Sequence, residues 1–197
     1  GLVSTDMLPL ESDTALVIAS GNQERLAELS LDKKSQLAAR IRHLGFRNVY
    51  PISTDMVQVS DWTPVHCRFG CSSYGAPHCP PHSPTPEKTR AMLREYTCCL
   101  ILEGDPPTGR FQRMVLQAEK EAFLRGFYKA FAFWAGPCSI CKECSGDLRC
   151  KNTKEARPSM EASGIDVFET VRRAGIPLKT VAEGDDFVKY FAILLLE

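Results

Sequence analysis

Nine cysteines occur in a chain of 197 residues, and seven of them fall in two short stretches. No other feature constrains the fold as strongly. The first stretch, HCRFGCSSYGAPHCPPH from His66 to His82, carries Cys67, Cys71 and Cys79 together with His66, His78 and His82. The second, GPCSICKECSGDLRC from Gly136, carries Cys138, Cys141, Cys144 and Cys150. Thiols gathered this way are disulfide partners, metal or cluster ligands, or buried small hydrophobes. An odd count and a chain long enough to build its own core speak against a disulfide framework, which belongs mainly to small secreted domains. Ligands in a reducing, cytoplasmic compartment are the expectation.

The downstream group is the more regular. Cys138, Cys141 and Cys144 are each separated by two residues, and Cys150 follows after five more. A 4Fe-4S cluster needs four thiolates around it, and a Cys-x2-Cys-x2-Cys loop curls to supply three. In the bacterial ferredoxin run the fourth cysteine comes after three residues and precedes a proline; here the gap is five and Lys151 follows Cys150. Cys150 therefore serves the same cluster or a neighbouring one. Zinc is the rival, since four thiolates also make a tetrahedral structural site, usually from two separated Cys-x2-Cys pairs.

In the upstream group the gaps are three and seven residues, which is not the Cys-x3-Cys-x2-Cys of radical S-adenosylmethionine enzymes. Three thiolates there leave a fourth position for His66, His78, His82 or a distant cysteine, or leave it open as a Lewis acid. The stretch has too few apolar residues to pack as a helix or strand, so a loop is expected. Cys98 and Cys99 are adjacent in a strand-like run and must point to opposite faces, as buried hydrophobes. Arg68, Lys142, Arg149, Lys151, Lys154 and Arg157 gather around both groups. Positive charge there stabilises a reduced cluster and steers an acidic redox partner, or is simply a solvated periphery.

The rest of the chain reads as one α/β domain over residues 1–197, with cysteine-rich loops at 66–82 and 136–158. Its expected frame is a mixed sheet of about four to five strands, parallel at least in part, covered by helices. TALVIAS (Thr14 to Ser20), RNVYPI, MVQVSDW, TCCLILEG (Thr97 to Gly104) and VKYFAILLLE read as strands. Helices are expected over Asn22 to Leu44 with a break near Ser30 to Asp32, from Pro86 to about Tyr96, from Phe111 to Ala135, and from Asp166 to Ala174. On the third of these Phe123, Phe127, Phe131 and Trp134 form an aromatic stripe, read as core. DPPTG reads as a turn. The 24 basic and 24 acidic side chains balance, which argues against a nucleic-acid binder working by phosphate neutralisation. No run of about 18 apolar residues predicts a membrane span, and GLVSTDMLPLESD lacks the layout of a secretory signal.

Three segments carry a resemblance: CRFGCSSYGAPHCPPHSP, FLRGFYKAFAFWAGPCSICKECSGDLRC and ARPSMEASGIDVFETVRRAG. Covering roughly Cys67 to Gly175, they resemble a family of cysteine-rich predicted metal-binding proteins of unknown function, common in anaerobic microbes. The resemblance implies iron–sulfur or metal ligands at Cys67, Cys71, Cys79, Cys138, Cys141, Cys144 and Cys150. It also implies a cysteine at the position of Ser163, where this chain has none. The leading expectation is one or two 4Fe-4S clusters passing electrons to or from a partner enzyme. The alternatives are an enzyme with an open iron at the upstream group acting on a small substrate, and a zinc-binding structural or interaction module. Cys141→Ser is expected to lower both metal content and melting temperature, because ligand binding contributes to folding free energy; thermal melts with metal analysis check it.

Overall fold

The computed structural model describes residues 12–104, 108–144, 149–178 and 189–197, with side chains from residue 23 onward. The chain divides into two compact units, Gly1–Gln36 and Leu37–Glu197. Helix α1 spans Ser12–Arg42 without the expected break. Thr14 to Ser20 are therefore helical, not a strand. The run is rich in Ala, Leu, Glu and Lys and has no proline, and one internal glycine, Gly21, costs only about 1 kcal/mol. In the first unit Gln36 donates to Asp32 one turn back, at 2.8 Å, and Leu26 and Leu29 are exposed.

In the second unit the last turns of α1 contribute Leu37, Ala38 and Ile41 to the core. Gly45 then ends the helix at φ +107°, a conformation that a side chain rarely adopts, and donates to the Arg42 carbonyl. Four strands follow: β1 Asn48–Ser53, β2 Cys98–Gly104, β3 Phe131–Phe133 and β4 Tyr190–Leu195. Their order is β1-β2-β4-β3, and every pairing is antiparallel.

The strand count fits the expectation; the partly parallel pairing does not. β2 and β3 do run the same way, because both oppose β4, but β4 lies between them. Helix α4, Gly109–Leu124, connects β2 to β3, so the pair is a split β-α-β unit with the last strand inserted. Strand and helix alternation in sequence reveals the crossover but not the inserted strand.

The middle of the sheet is dry on both faces. Leu100, Leu102, Ala132, Trp134, Ala192 and Leu194 point to one side, against α1 and α4. Cys99, Ile101, Phe133, Phe191, Ile193 and Leu195 point to the other, against α3 (Pro86–Leu93) and α5 (Val167–Arg173). Cys98 and Cys99 thus lie on opposite faces, each packed against a core cluster. Burial pushes the Cys99 thiol far up, which suits a buried hydrophobe. Helices α3 and α5 begin on side-chain caps: Thr85 accepts from Lys88 and Asp166 from Glu169.

Two more expectations need correcting. MVQVSDW is not a strand: Thr54–Met56 is a 3-10 turn, and Val59 makes only an isolated bridge to Ile165. The Phe111 to Ala135 helix stops at Leu124. Gly126, at φ +88°, donates back to the Phe123 carbonyl and turns the chain into β3. The aromatic stripe therefore does not lie on one helix. Phe127 and Trp134 are core as expected, whereas Phe123 is exposed. The DPPTG turn falls largely outside the described residues. No described helix is long and apolar enough to cross a membrane.

Gly104 ends β2 where a Cβ would overlap the Phe111 ring. That ring is buried between Phe46 and Trp134, so it has nowhere to move. Gly104→Ala is expected to cost about 1–3 kcal/mol of stability through overpacking, read from denaturant midpoints at unchanged slope.

Candidate metal centre

The downstream cysteines sit on a loop held at three points. β3 runs into Trp134, which pairs with the 158–160 segment: Trp134 donates to the Pro158 carbonyl at 2.8 Å and Met160 to the Trp134 carbonyl at 2.9 Å. The chain between, Ala135 to Arg157, leaves the core and returns to it at nearly the same place. Trp134 is fully buried, and its indole Nε1 donates to the Pro137 carbonyl at 3.0 Å, fixing the loop's entry. Arg157 fixes the exit by donating through Nε to Glu119 of α4 at 2.9 Å. The same Glu119 carboxylate accepts from the backbone of Ala132.

The third point is Gln112, in the first turn of α4 and almost wholly buried. Its Nε2 donates to Cys138 Sγ at 3.2 Å, and its Oε1 accepts from the Ser139 backbone at 2.6 Å. A buried amide that spends both ends on one loop sets that loop's position. Asn152 plays a similar part further on: Nδ2 donates to Cys141 Sγ at 2.9 Å, and its backbone N–H to Cys150 Sγ at 3.3 Å. Three of the four downstream sulfurs thus accept N–H donors, an arrangement that suits a thiolate better than a thiol.

The upstream stretch begins differently from the expectation. His66 and Cys67 lie in helix α2, Trp62–Gly70, and the loop starts at Cys71. Val65 and Phe69 are apolar but exposed, so the helix forms with little burial. From Cys71 the chain makes successive tight turns: Tyr74 donates to Cys71, Gly75 to Pro80, Cys79 to Ala76 and His82 to Cys79. Ser83 then docks the loop on the 3-10 turn Glu161–Ser163, its Oγ donating to the Ala162 carbonyl at 2.6 Å.

These turns carry Cys79 across to the other group. One cavity of about 100 Å³ is lined by Cys79, Cys138, Cys141, Cys144, Cys150 and His78. Burial first, then the neighbouring Cys71, Cys67, Cys138 and Cys144, pushes the Cys79 thiol up to about 11. Cys67 is also raised, by burial, by Cys71 and by Glu161. The two groups therefore meet at Cys79. Among the described residues no three His, Cys, Asp or Glu side chains converge on one point to hold a metal ion; the thiols surround a volume.

The histidines separate clearly. His66 packs edge-on against Trp62 and is exposed, as is His82. His78 lines the cavity with its Nε2 buried and without a hydrogen-bond partner. Burial, then Arg157, lowers its pKa, which keeps the ring in the neutral form that ligates metals. The donor set therefore fits a thiolate-held group: five sulfurs on one cavity, amide donors to three of them, and an unsatisfied imidazole nitrogen.

Sequence reasoning missed Gln112 and Asn152. Asn152 stands two residues after Cys150, which was its one local signal; Gln112 had none, since its partner is 26 residues away. Ser163, where the resemblance implies cysteine, is fully buried with its hydroxyl unpartnered. Of the basic residues, Arg157 is spent on Glu119, and Lys142, Lys151 and Lys154 are exposed.

Free thiols line a common cavity, with side-chain amides turned toward two of their sulfurs, a donor set of the kind that holds metal. The chain belongs to the family described as "Predicted metal-binding protein (DUF2284)", whose model matches residues 50–196. Compared with curated proteins and with solved structures, the chain has no match.

A thiol must lose its proton to ligate, and the raised pKa values of Cys67 and Cys79 favour their protonated form in the absence of metal. Metal affinity is therefore expected to rise with pH toward about 11, the Cys79 value. Competition titrations between pH 6 and 9 measure the slope. Asn152→Ala is expected to weaken metal binding by about 10-fold or more, as removal of ligand-orienting hydrogen bonds does; the same titrations read it.

Proposed function

We propose that this is an iron–sulfur protein that passes electrons to or from a partner enzyme, with a 4Fe-4S cluster held by Cys138, Cys141, Cys144 and Cys150. The observation that carries the reading is the set of N–H donors on Cys138, Cys141 and Cys150, facing a cavity that the thiols surround. Thiolates spread around a volume suit a cluster with bridging sulfides better than a single tetrahedral ion. When bound, the cluster supplies a one-electron couple. Gln112 and Asn152 orient the ligand sulfurs and, by donating to them, stabilise added negative charge. That raises the potential.

A second centre at Cys67, Cys71 and Cys79 completes the proposal, with Cys79 as the closest approach between the two. His78 is the histidine suited to ligation there or at the downstream cavity; His66 and His82 drop to surface roles. Surroundings suited to a redox partner lie close by: exposed Trp62, Val65 and Phe69 on α2 beside Cys67, and exposed Lys142, Lys151 and Lys154 near the downstream loop. An acidic partner in a reducing, cytoplasmic compartment fits these charges.

Anaerobic purification with iron, sulfide and zinc analysis tests the reading, alongside electron paramagnetic resonance after reduction. Iron and acid-labile sulfide in equal amounts, with a signal that disappears in Cys141→Ser, is the expected result. Stoichiometric zinc without sulfide would sink the cluster and leave a zinc module.

A further inference from the structure

Helix α4 packs one side on the sheet through Phe111, Val115, Ala118 and Ala122. Another side carries Arg113, Leu116, Lys120 and Phe123, and meets the 154–157 segment that returns from the Cys138 loop. Between helix and segment lies a groove of about 510 Å³. Small-molecule sites usually measure about 300–1,000 Å³.

The charges of this groove do not balance. Its Glu119 is spent on Arg157 and the Ala132 backbone, and Glu121, also on α4, on Gln117 and Arg40. A merely solvated helix face pairs its cations with carboxylates three or four residues away. Neither Arg113 nor Lys120 has one at that spacing. The side chains of Arg113, Lys120 and Lys154 have no partner among the described residues, and Glu155 is the uncommitted carboxylate beside them. The groove therefore keeps a positive surplus.

Phe123 lies at one end of this row and is 59% exposed, although a phenyl ring is stabilised by burial. Ten positions separate it from Arg113 on α4, about 15 Å along the helix axis, with Lys120 between. An exposed ring followed by a line of cations suits a ligand with a planar base at one end and several negative charges trailing from it. Bases stack on aromatic side chains whatever their identity, and guanidinium and ammonium groups bind phosphate oxygens.

We propose that this groove binds a nucleoside di- or triphosphate, its base on Phe123 and its phosphates along Lys120, Lys154 and Arg113. A simple carboxylic acid would leave most of the cations unused. A polynucleotide would call for a basic surplus beyond the groove, and the 24 basic and 24 acidic side chains of the chain balance. The site stands on these residues whatever the metal is. It adjoins the metal loop, because Lys154 follows Asn152, which donates to Cys141 and Cys150.

The test titrates the full chain, purified anaerobically, with ADP and GDP by calorimetry; adenosine and pyrophosphate stand for the two halves of the ligand. Saturable binding of at least one nucleotide is expected, tighter than either half. Arg113→Ala and Lys120→Ala should each weaken it about 10-fold, as loss of a charge-assisted hydrogen bond does. Phe123→Ala should weaken the nucleotide about 10-fold and leave pyrophosphate unchanged, whereas Phe123→Trp, which keeps a stacking face, should retain binding. All these side chains are exposed, so the variants should melt with the wild type. Saturable binding of neither nucleotide would overturn the site, as would binding that none of the variants alters. Pyrophosphate held as tightly as ADP, with Phe123→Ala without effect on either, would overturn the nucleotide assignment and leave an anion site. An oligouridylate that displaces ADP from the same residues at lower concentration would overturn it in favour of a single strand.

Discussion

Strands β2 and β4 pair through six residues each and are buried on both faces, so each face needs its own covering layer. The last turns of α1 and helix α4 cover one, α3 and α5 the other. Once both layers are in place, the connections between them must leave and re-enter the core at fixed points. The seven clustered cysteines sit on those connections. The helix-to-sheet packing that stabilises the frame therefore also sets where Trp134, Gln112 and Glu119 stand to hold the Cys138 loop.

The same frame accounts for the convergence of the two groups. Trp134 and Ser159 bridge two segments beyond β3, one leading into the downstream loop and the other into the turn on which the upstream loop docks. Cys79 and Cys138 are 59 positions apart in sequence, yet both line one cavity, because the downstream loop starts from that seam and the upstream loop docks beside it. Burial there pushes the Cys79 thiol up, and the same burial strengthens each N–H donor aimed at a sulfur. A metal-free site is thus uncomfortable, and binding relieves it.

Much of this was legible in the sequence. β2 and β4 announce themselves as near-continuous apolar runs, because strands buried on both faces have no polar alternation. Caps at Thr85 and Asp166 are local chemistry, decided within three or four residues. The helix ending at Leu124 was misread because Phe127, Phe131 and Trp134 keep a helical spacing by coincidence, and Gly126 overrides it. α2 was missed because its apolar side chains face outward, leaving no buried stripe to find.

The sequence by itself determined which residue types are available to ligate: seven thiols at short spacing, whose chemistry does not depend on the fold. Only the tertiary structure decided how they group. It joined Cys79 to the downstream cavity, placed His78 on that cavity while His66 and His82 lie exposed, and brought Gln112 and Asn152 to the sulfurs. The physical reason is range. Spacing constrains neighbours along the chain, whereas a side-chain amide that reaches a sulfur 26 residues away does so only after the layers have packed.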